Sequence, residues 1–384
     1  MAMHSGTIWR EPFMSRRFTI VGMLLSLVLV LAACGETNGD GDGDGDGDGS
    51  PAASAGADAS AGTGGGELED TLTVLCTPQE DWCQVMVAAF QEETGIETSY
   101  VRLSSGEAVA RLSAGASDPE FSVWWGGPAD GFVAANEEGL IEPYDSPNAA
   151  AIADEQKGPD GIWTGVYVGA LGFCSNTQVL GDLGVDVPDS WDDLLDPALE
   201  GQVAMAHPAS SGTAYTAFYT QVLRLGGEDE AMEYMQELHP NILQYTSSGA
   251  APAEMAGRGE VAVSVVFSHD CVRNIDAGFS DLEVSFPSEG TGYEIGGVAL
   301  IANAPEPNAA KAWIDWSLTA EAQELGAAEA ASFQLPTHPD AAVDERSVDL
   351  ASVELVEYDF DAAGLARADL TARFEDEVAT APAD

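Results

Sequence analysis

The sequence predicts an α/β fold, because short apolar runs alternate with amphipathic helical segments along most of the chain. Glycine and polar residues bound these runs, which is typical of buried parallel strands. Apolar residues then recur at helical spacing between Trp82 and Phe90, and Gly95 ends that helix. The predicted strands of the first half are 72–75, 96–101 and 121–124.

The same alternation continues through the second half of the chain, without an internal repeat. Helices are expected after Ser211, from Asp229 and near Pro252, since proline is favoured in the first turn of a helix. The two halves together are long enough for two lobes of ordinary size. The further predicted strands are 165–174, 203–206, 261–267 and 296–301.

The N-terminal segment has the features of an export signal. Arg16 and Arg17 precede an apolar run at 18–31 that is shorter than the ~20 residues needed to span a bilayer. Small residues lead to Cys34, in a pattern that resembles a bacterial lipobox. We therefore predict a lipoprotein signal peptide at 1–33 and lipidation of Cys34. The alternatives are a plain signal peptide with a chance cysteine and a twin-arginine signal.

Residues 34–68 are predicted to be a disordered tether. The segment is rich in glycine, aspartate, alanine and serine, and a Gly-Asp repeat runs from Gly39 to Gly49. Such a composition cannot bury a core. A flexible linker of this length reaches roughly 30 Å, and repulsion between aspartates extends it. We expect a folded domain that is lipid-anchored at the extracytoplasmic face of the cell membrane.

The chain is strongly acidic, with 65 Asp and Glu residues against 13 Lys and Arg and a formal net charge of −52. Nucleic-acid binding and electrostatic binding to anionic lipid both need a basic surface, and this composition provides none. Both functions are therefore excluded. Mutual repulsion keeps such a protein soluble but destabilises its compact state unless salt screens it. Because the acids lie along the whole chain, they indicate a halophilic or salt-tolerant source rather than a local patch that recruits cations.

Four cysteines follow Cys34, and an even number in an exported chain indicates disulfides. Cys76 and Cys83 lie seven residues apart across a predicted strand end and helix start, so we expect them to pair. Cys174 and Cys271 would form the second pair. Metal ligation is the alternative, but no Cys-x-x-Cys or His-x-x-x-His spacing supports it, and we predict neither a metal nor a cofactor.

Three segments place small hydroxyl residues and a glycine at a predicted helix start: 104–106, 210–213 and 246–249. Glycine lets backbone N–H groups approach a ligand, the helix dipole favours an anion, and hydroxyls add donors. Ordinary N-capping explains any one of these segments, but three in one chain favour a shared anion site. Its candidate residues are Ser105, Gly106, Ser211, Gly212, Thr213, Ser247, Ser248 and Gly249.

A second set of residues suits a polar, sugar-like ligand. Asp270 and Glu294 lie at predicted strand–loop junctions, where carboxylates can accept hydrogen bonds from neighbouring hydroxyls, and His269 can donate. Trp125 offers an apolar ring face, with core packing as the alternative reading. The segment 289–294 is polar and interrupted by glycines, so we expect it to form a loop or chain crossover that lines a cleft.

Catalysis has little support in the sequence. Serine and histidine are present, but no Gly-x-Ser-x-Gly elbow occurs. The neighbours His269 and Asp270 do not make a triad, since adjacent strand residues point to opposite faces. We predict no catalytic residues and no enzyme, and a secreted phosphatase is the least favoured reading.

Several motifs occur in order along the chain: the lipobox at Cys34, WWGG at 124–127, EPYDSPN at 142–148, SSGTAYT at 210–216, QYTSSGAAPA at 244–253, His269-Asp270 and 289–297. Together they resemble the extracellular solute-binding proteins of ATP-binding cassette (ABC) importers. The resemblance is to the ferric-binding-like branch, which includes hexose-phosphate-binding and 2-aminoethylphosphonate-binding members. It implies a type II periplasmic-binding-protein fold, with lobe 1 at 69–170 and 297–384, lobe 2 at 174–292, and a two-stranded hinge between them.

The resemblance also implies a function. The chain would capture a small anionic solute, a phosphorylated sugar or a phosphonate, and deliver it to the permease of an importer. The hydroxyl-bearing helix starts would hold phosphate, while His269, Asp270 and a glutamate, Glu294 before Glu289, would hold sugar hydroxyls. A ferric-ion receptor is the alternative. Ferric members resemble one another in a pair of adjacent tyrosines, which this chain lacks.

Overall fold

The structure is a computed structural model that describes residues 68–382. The predicted signal peptide at 1–33, the lipidation site Cys34 and all of the predicted tether except residue 68 lie outside the described residues. Within residues 68–382, no helix is long and apolar enough to cross a membrane.

Strands and helices alternate along the chain, as the sequence predicts. The strands are β1 (Thr71–Cys76), β2 (Glu97–Arg102), β3 (Val123–Pro128), β4 (Ile141–Glu142), β5 (Thr164–Asn176), β6 (Val203–Ala206), β7 (Ile242–Thr246), β8 (Val263–Phe267), β9 (Leu282–Ser285), β10 (Tyr293–Ile301) and β11 (Leu335–Pro336). The helices are α1 (Glu80–Thr94), α2 (Ser105–Ala114), α3 (Ala129–Glu137), α4 (Thr177–Leu183), α5 (Gly212–Leu225), α6 (Glu228–Leu238), α7 (Ala251–Gly257), α8 (Ser268–Asp276), α9 (Pro307–Ser317), α10 (Ala320–Glu329) and α11 (Phe360–Glu377).

The strands form two half-sheets that share the long strand β5. The strand order is β2-β1-β3-β10-β5-β8-β6-β7. We call the part built on β1–β4, β10 and β11 lobe 1, and the part built on β6–β9 lobe 2. In each lobe parallel strands are followed by helices, so both half-sheets direct helix starts to the carboxyl ends of their strands. The predicted two-lobed α/β fold is confirmed.

Two strands carry the chain between the lobes. The first half of β5 pairs with β10 of lobe 1, where Gly169 lies opposite Glu294. From Leu171 onward the same strand pairs with β8 of lobe 2. The chain returns at the start of β10, where Tyr293 lies opposite Ala170. The two crossings lie at or next to 170–174 and 292–297, the junctions between the expected lobe ranges.

The C-terminal helix α11 makes a third link between the lobes. Its Phe374 packs against Phe218 in the core of lobe 2, with ring centroids 5.5 Å apart. Its Arg367 pairs with Asp130 of lobe 1, with 2.6 Å between Nη1 and Oδ1. The sequence analysis assigns this segment to lobe 1 alone, whereas its apolar residues are buried against both lobes.

Both predicted disulfide pairs are present in the structure. Cys76 at the end of β1 is bonded to Cys83 in α1. Cys174 in β5 is bonded to Cys271 in α8, and this second bridge closes a span of 97 residues. Each bridge thus fixes a strand to a helix that begins at the interlobe cleft.

Candidate functional site

Six helices begin at one cavity between the lobes, which encloses about 430 Å³ of space free of protein atoms, including its mouth. Lobe 1 contributes the starts of α1, α2 and α3, and lobe 2 those of α5, α7 and α8. In open α/β sheets, ligands bind beyond the carboxyl ends of the strands, where such helix starts converge. The first backbone N–H groups of a helix have no partner within it, so this cavity concentrates hydrogen-bond donors and positive dipole ends.

One end of the cavity is lined by five of the eight predicted anion-binding residues, which we call the anion seat: Ser105, Ser211, Gly212, Thr213 and Gly249. A Cβ added to Gly249 would lie 2.1 Å from Thr213 Oγ1. A Cβ added to Gly212 would lie 2.8 Å from Ser105 Oγ, across the lobe boundary. The two glycines therefore allow backbone and hydroxyl groups from both lobes to meet at one point.

The other three predicted anion ligands do not line the cavity. The Gly106 N–H donates to the carbonyl of Ser210 at 2.9 Å, so it joins the lobes instead of facing a ligand. The carbonyl of Ser248 accepts from Thr246 Oγ1 at 2.8 Å, which turns that residue toward a neighbouring surface cleft. Ser247 is also absent from the lining. Gly106, Ser247 and Ser248 thus lie outside the cavity lining.

A second part of the cavity lining holds His269, Asp270 and Glu294, all of them buried; we call it the carboxyl end. His269 Nε2 lies 3.9 Å from Asp270 Oδ2 and 3.9 Å from Glu294 Oε1. These distances exceed a hydrogen bond, so each group keeps capacity for another partner. Gln79 of lobe 1 donates from Nε2 to Asp270 Oδ1 of lobe 2.

Burial shifts the ionisation of all three groups. It raises the pKa of Asp270 to about 7, with the Gln79 hydrogen bond and the charges of Arg273 and Arg102 acting in the opposite direction. Burial, together with the nearby Asp270, raises the pKa of Glu294 well above its usual value. Burial also lowers the pKa of His269 to about 3. Near neutral pH the carboxyl end therefore carries less negative charge than two free carboxylates would, and its histidine is neutral.

Two residues predicted for the polar part of the site lie elsewhere. Glu289 accepts hydrogen bonds from Ser190 Oγ at 2.9 Å and from the Trp191 N–H at 2.7 Å, so it holds a turn on the surface of lobe 2. Trp125 is 1% exposed and packs against Trp82 and Tyr167 in the core of lobe 1. Helices cover both faces of β3, so its tryptophan rings fill the core rather than a sugar site.

The cavity is also lined by residues outside the predicted set of ligands. Gln79 follows β1, and the Tyr167 hydroxyl accepts from the Gly127 N–H at 2.8 Å. Arg102 is the one cationic side chain of the lining; its Nε donates to the Pro78 carbonyl at 3.0 Å. The glutamines belong to no motif, so only the fold brings them to the cavity. The further lining residues are Thr77, Pro78, Ser104, Gly127, Pro128, Ala250, Phe267 and Gln334.

Tyr215, Tyr219 and Tyr245 are not among the residues that line this cavity, whose lining contains one tyrosine, Tyr167. The Tyr215 hydroxyl donates to the Ala363 carbonyl at 2.6 Å, and its ring lies 4.3 Å from the guanidinium of Arg367. Tyr219 is buried in the core of lobe 2, and Tyr245 packs against Phe374. Among residues 68–382, no group of three His, Cys, Asp or Glu residues could hold a metal ion.

Comparison with known proteins places this architecture in a family. Residues 85–352 match the family model described as bacterial extracellular solute-binding protein. An uncharacterised protein of Haemophilus influenzae is 40% identical over 76% of this chain and 86% of its own length. A putative 2-aminoethylphosphonate-binding periplasmic protein of Salmonella typhimurium is 27% identical over 63% of this chain and 70% of its own. A probable ABC transporter periplasmic-binding protein of Sinorhizobium fredii is 26% identical over 75% and 80% of the two chains.

A solved structure is similar across nearly its whole length. It is the periplasmic binding protein AfuA from Actinobacillus pleuropneumoniae with fructose-6-phosphate bound. The match has a TM-score of 0.78 at 38% identity and covers 80% of this chain and 98% of that one. The family match, the two-lobed fold and the interlobe cavity agree, so the chain belongs to the bacterial extracellular solute-binding proteins and acts outside the cytoplasm.

Proposed function

We propose that this chain is the lipid-anchored binding protein of an ABC importer and that it captures a phosphorylated sugar or a phosphonate between its lobes. The observation that carries the proposal is the cavity itself. One end gathers helix starts, hydroxyls and glycines, and the other end gathers a neutral histidine with two buried carboxyl groups. A ligand with an oxyanion at one end and hydroxyls at the other matches that division.

The anion seat suits an oxyanion without a dedicated cluster of cations. Partial positive charge at helix starts and free N–H groups stabilise negative charge. Ser211 and Thr213 come from lobe 2, while Ser105 comes from lobe 1, so both lobes would donate to the same group. Only Arg102 adds a full positive charge to the lining. Such a site holds a phosphate while the rest of the protein stays strongly acidic.

The carboxyl end suits hydroxyl groups. Asp270 and Glu294 can accept hydrogen bonds from neighbouring sugar hydroxyls, and neutral His269 can donate one and accept one. The relative solved with fructose-6-phosphate and the relative named for 2-aminoethylphosphonate support a phosphorylated or phosphonate ligand.

Capture would proceed by hinge closure about β5 and β10. Three contacts beside the cavity join the two lobes and would stabilise the closed form. The Gly106 N–H donates to Ser210, Arg273 of α8 pairs with Asp81 of α1, and Gln79 donates to Asp270. A ligand that bridges the anion seat and the carboxyl end would add its own contacts to both lobes.

Calorimetry on the full chain, purified in detergent at high salt, tests the proposal. The titrants are fructose-6-phosphate, glucose-6-phosphate, 2-aminoethylphosphonate, inorganic phosphate and unphosphorylated glucose. We expect binding of at least one phosphorylated or phosphonate compound and none of glucose. The absence of heat from every phosphorus-containing titrant would refute the proposal.

The same preparation separates the alternatives. A visible phenolate-to-iron band on addition of ferric citrate would favour a ferric receptor, but Tyr215, Tyr219 and Tyr245 all lie away from the cavity. Release of inorganic phosphate from hexose phosphates would indicate a phosphatase. Metabolic labelling with a fatty acid in wild type and Cys34→Ala tests the anchor, since only the wild type should be labelled.

A further inference from the structure

A turn at 331–334 in lobe 1 presents a polar side chain to the cavity. Gln334 lines the cavity and is only 8% exposed. Its Oε1 accepts a hydrogen bond from Ser332 Oγ at 2.8 Å. Within residues 68–382, Gln334 Nε2 makes no hydrogen bond, and this atom is not one of the fully buried polar atoms without a partner. It therefore keeps some accessible surface. The amide N–H groups are therefore free to donate to a ligand.

Strand pairing places this glutamine at the carboxyl end. In the antiparallel pair of β11 and β5, Leu335 lies opposite Val168. One step further in the same register sets Gln334 opposite Gly169. On the other edge of β5, Glu294 lies opposite the same glycine. Gln334 and Glu294 thus flank Gly169 from two sides, one as a donor and the other as an acceptor.

The backbone before Gln334 adopts a conformation that its sequence does not favour. Ala331 has φ of +49°, in the left-handed region that a residue with a Cβ avoids. The next residue, Ser332, donates its N–H to the carbonyl of Gly326 at 3.0 Å, which fixes the turn against the end of α10. Strained residues of this kind persist where the surrounding structure imposes them, and they cluster at ligand sites.

Contacts to lobe 2 hold the same turn from outside. The guanidinium carbon of Arg346 lies 4.2 Å from the ring centroid of Phe333, the residue before Gln334. Arg346 Nη1 also lies 2.9 Å from Asp276 Oδ1 in the last turn of α8. Helix α8 carries Asp270 into the cavity. The turn in lobe 1 is thus linked to the lobe 2 helix that supplies the other ligand-facing groups.

We propose that Gln334 is a specificity-determining residue that donates a hydrogen bond to a hydroxyl of a sugar phosphate, and that Phe333, Arg346 and Asp276 position it. This inference rests on the proposed function. It separates the ligand classes, because inorganic phosphate and a short phosphonate have no hydroxyl at the carboxyl end. Gln334 would therefore select for a polyol phosphate over a bare oxyanion.

Calorimetry with fructose-6-phosphate and inorganic phosphate tests the proposal on wild type, Gln334→Ala and Gln334→Met. The methionine keeps the length of the side chain but has no hydrogen-bond donor. We expect both variants to bind the sugar phosphate about tenfold more weakly, because a hydroxyl loses its donor, and to bind inorganic phosphate within about twofold of wild type. Gln84→Ala on the outer face of α1 is the matched control, with no expected change.

Unchanged affinity for the sugar phosphate in both variants would overturn the inference while leaving the proposed function intact. Equal loss for both ligands would also overturn it, because that pattern indicates a general structural role. If wild type binds no phosphorylated compound, the proposed function and this inference both fail.

Ala331→Gly provides a test that does not depend on folding of the Gln334 variants. Glycine relieves the left-handed strain at this position, so the melting temperature should stay the same or rise. The looser turn should still bind fructose-6-phosphate more weakly, since Gln334 would no longer be held in place. Wild-type affinity in this variant would contradict the positioning role of the turn.

Discussion

The two parts of the cavity, the anion seat and the carboxyl end, differ in chemistry. The anion seat is made of backbone groups, small hydroxyls and glycines, none of which changes charge near neutral pH. The carboxyl end is made of three titratable groups, all of them buried and all shifted in pKa. The seat is thus insensitive to pH, whereas the carboxyl end can respond to it.

Under the proposed function, this contrast explains how an acidic protein would bind an anion. With a net charge of −52, the chain would surround an anionic ligand with negative charge. The seat would rely on dipoles, whose effect persists in salt because they act at contact distance in a site shielded from solvent. Burial protonates the carboxyl groups in part and so reduces repulsion at the other end. The following predictions test this division, from the largest expected effect to the smallest.

Gly212→Ala should abolish tight binding of every ligand. The added Cβ would lie 2.7 Å from Pro128 Cδ and 2.8 Å from Ser105 Oγ, both in the opposite lobe. Closure would have to stop short, so we expect a loss of about 100-fold or more for sugar phosphate and inorganic phosphate alike. Gly181→Ala, where an added Cβ meets nothing within 4 Å, is the control. Tight binding by Gly212→Ala would show that the lobes do not meet at the seat.

Asp270→Ala should weaken a sugar phosphate by about 2 kcal/mol, or roughly 30-fold, because buried hydroxyls lose their acceptor. Inorganic phosphate, held at the seat, should bind nearly as before. Calorimetry on both ligands checks this, with the exposed Asp281→Ala as control. An equal loss for both ligands would mean that the cavity is not divided as described.

The ligand-free protein should lose stability as pH rises toward neutrality, through Asp270. This carboxyl has an ordinary pKa of 3.8, and burial raises it to about 7 in the folded state. Between these values the folded state holds a proton that the unfolded state releases, so stability falls by up to roughly 1.4 kcal/mol per pH unit. Chemical denaturation at pH 4 to 8 in high salt, compared with Asp270→Asn, isolates this contribution. Parallel curves for the two proteins would contradict it.

Thr213→Val should have the smallest effect and should not distinguish the ligands. The substitution keeps the shape of the side chain but removes one hydroxyl from the anion seat. We expect about fivefold weaker binding of sugar phosphate and inorganic phosphate alike, the usual consequence of one lost hydrogen bond. Thr177→Val, at the start of α4 on the surface of lobe 2, is the control. A loss confined to the sugar phosphate would place Thr213 at the wrong end.

Local sequence signals were sufficient for the fold and for most of the anion seat. A glycine and a hydroxyl after a buried strand specify a helix start, and parallel strands bring such starts together. The same signal could not separate Ser211, which lines the cavity, from Gly106, which bonds to the other lobe. That distinction depends on how the two lobes meet, and no local pattern records it.

At the carboxyl end, too, local sequence signals could not show which residues reach the cavity. Glu289 and Glu294 lie five residues apart in one polar segment, but only Glu294 is in β10 and points into the cavity. Gln79 and Gln334 reach the cavity from loops that are remote in sequence, so neither stood out. Trp125 offered an apolar ring face in the sequence, but every residue of β3 is buried, which is typical of a strand covered on both sides.

The C-terminal helix has a consequence for the path of the moving lobes. Two adjacent strands alone would act as a ribbon that can both bend and twist. Helix α11 is fixed to lobe 1 by Arg367 and to lobe 2 by Phe374, and its Phe360 packs against Tyr293 at the start of β10. A third attachment beside the two strands resists torsion, so opening should follow one repeatable arc. Each cycle would then offer the membrane transporter the same pair of surfaces in the same mutual orientation.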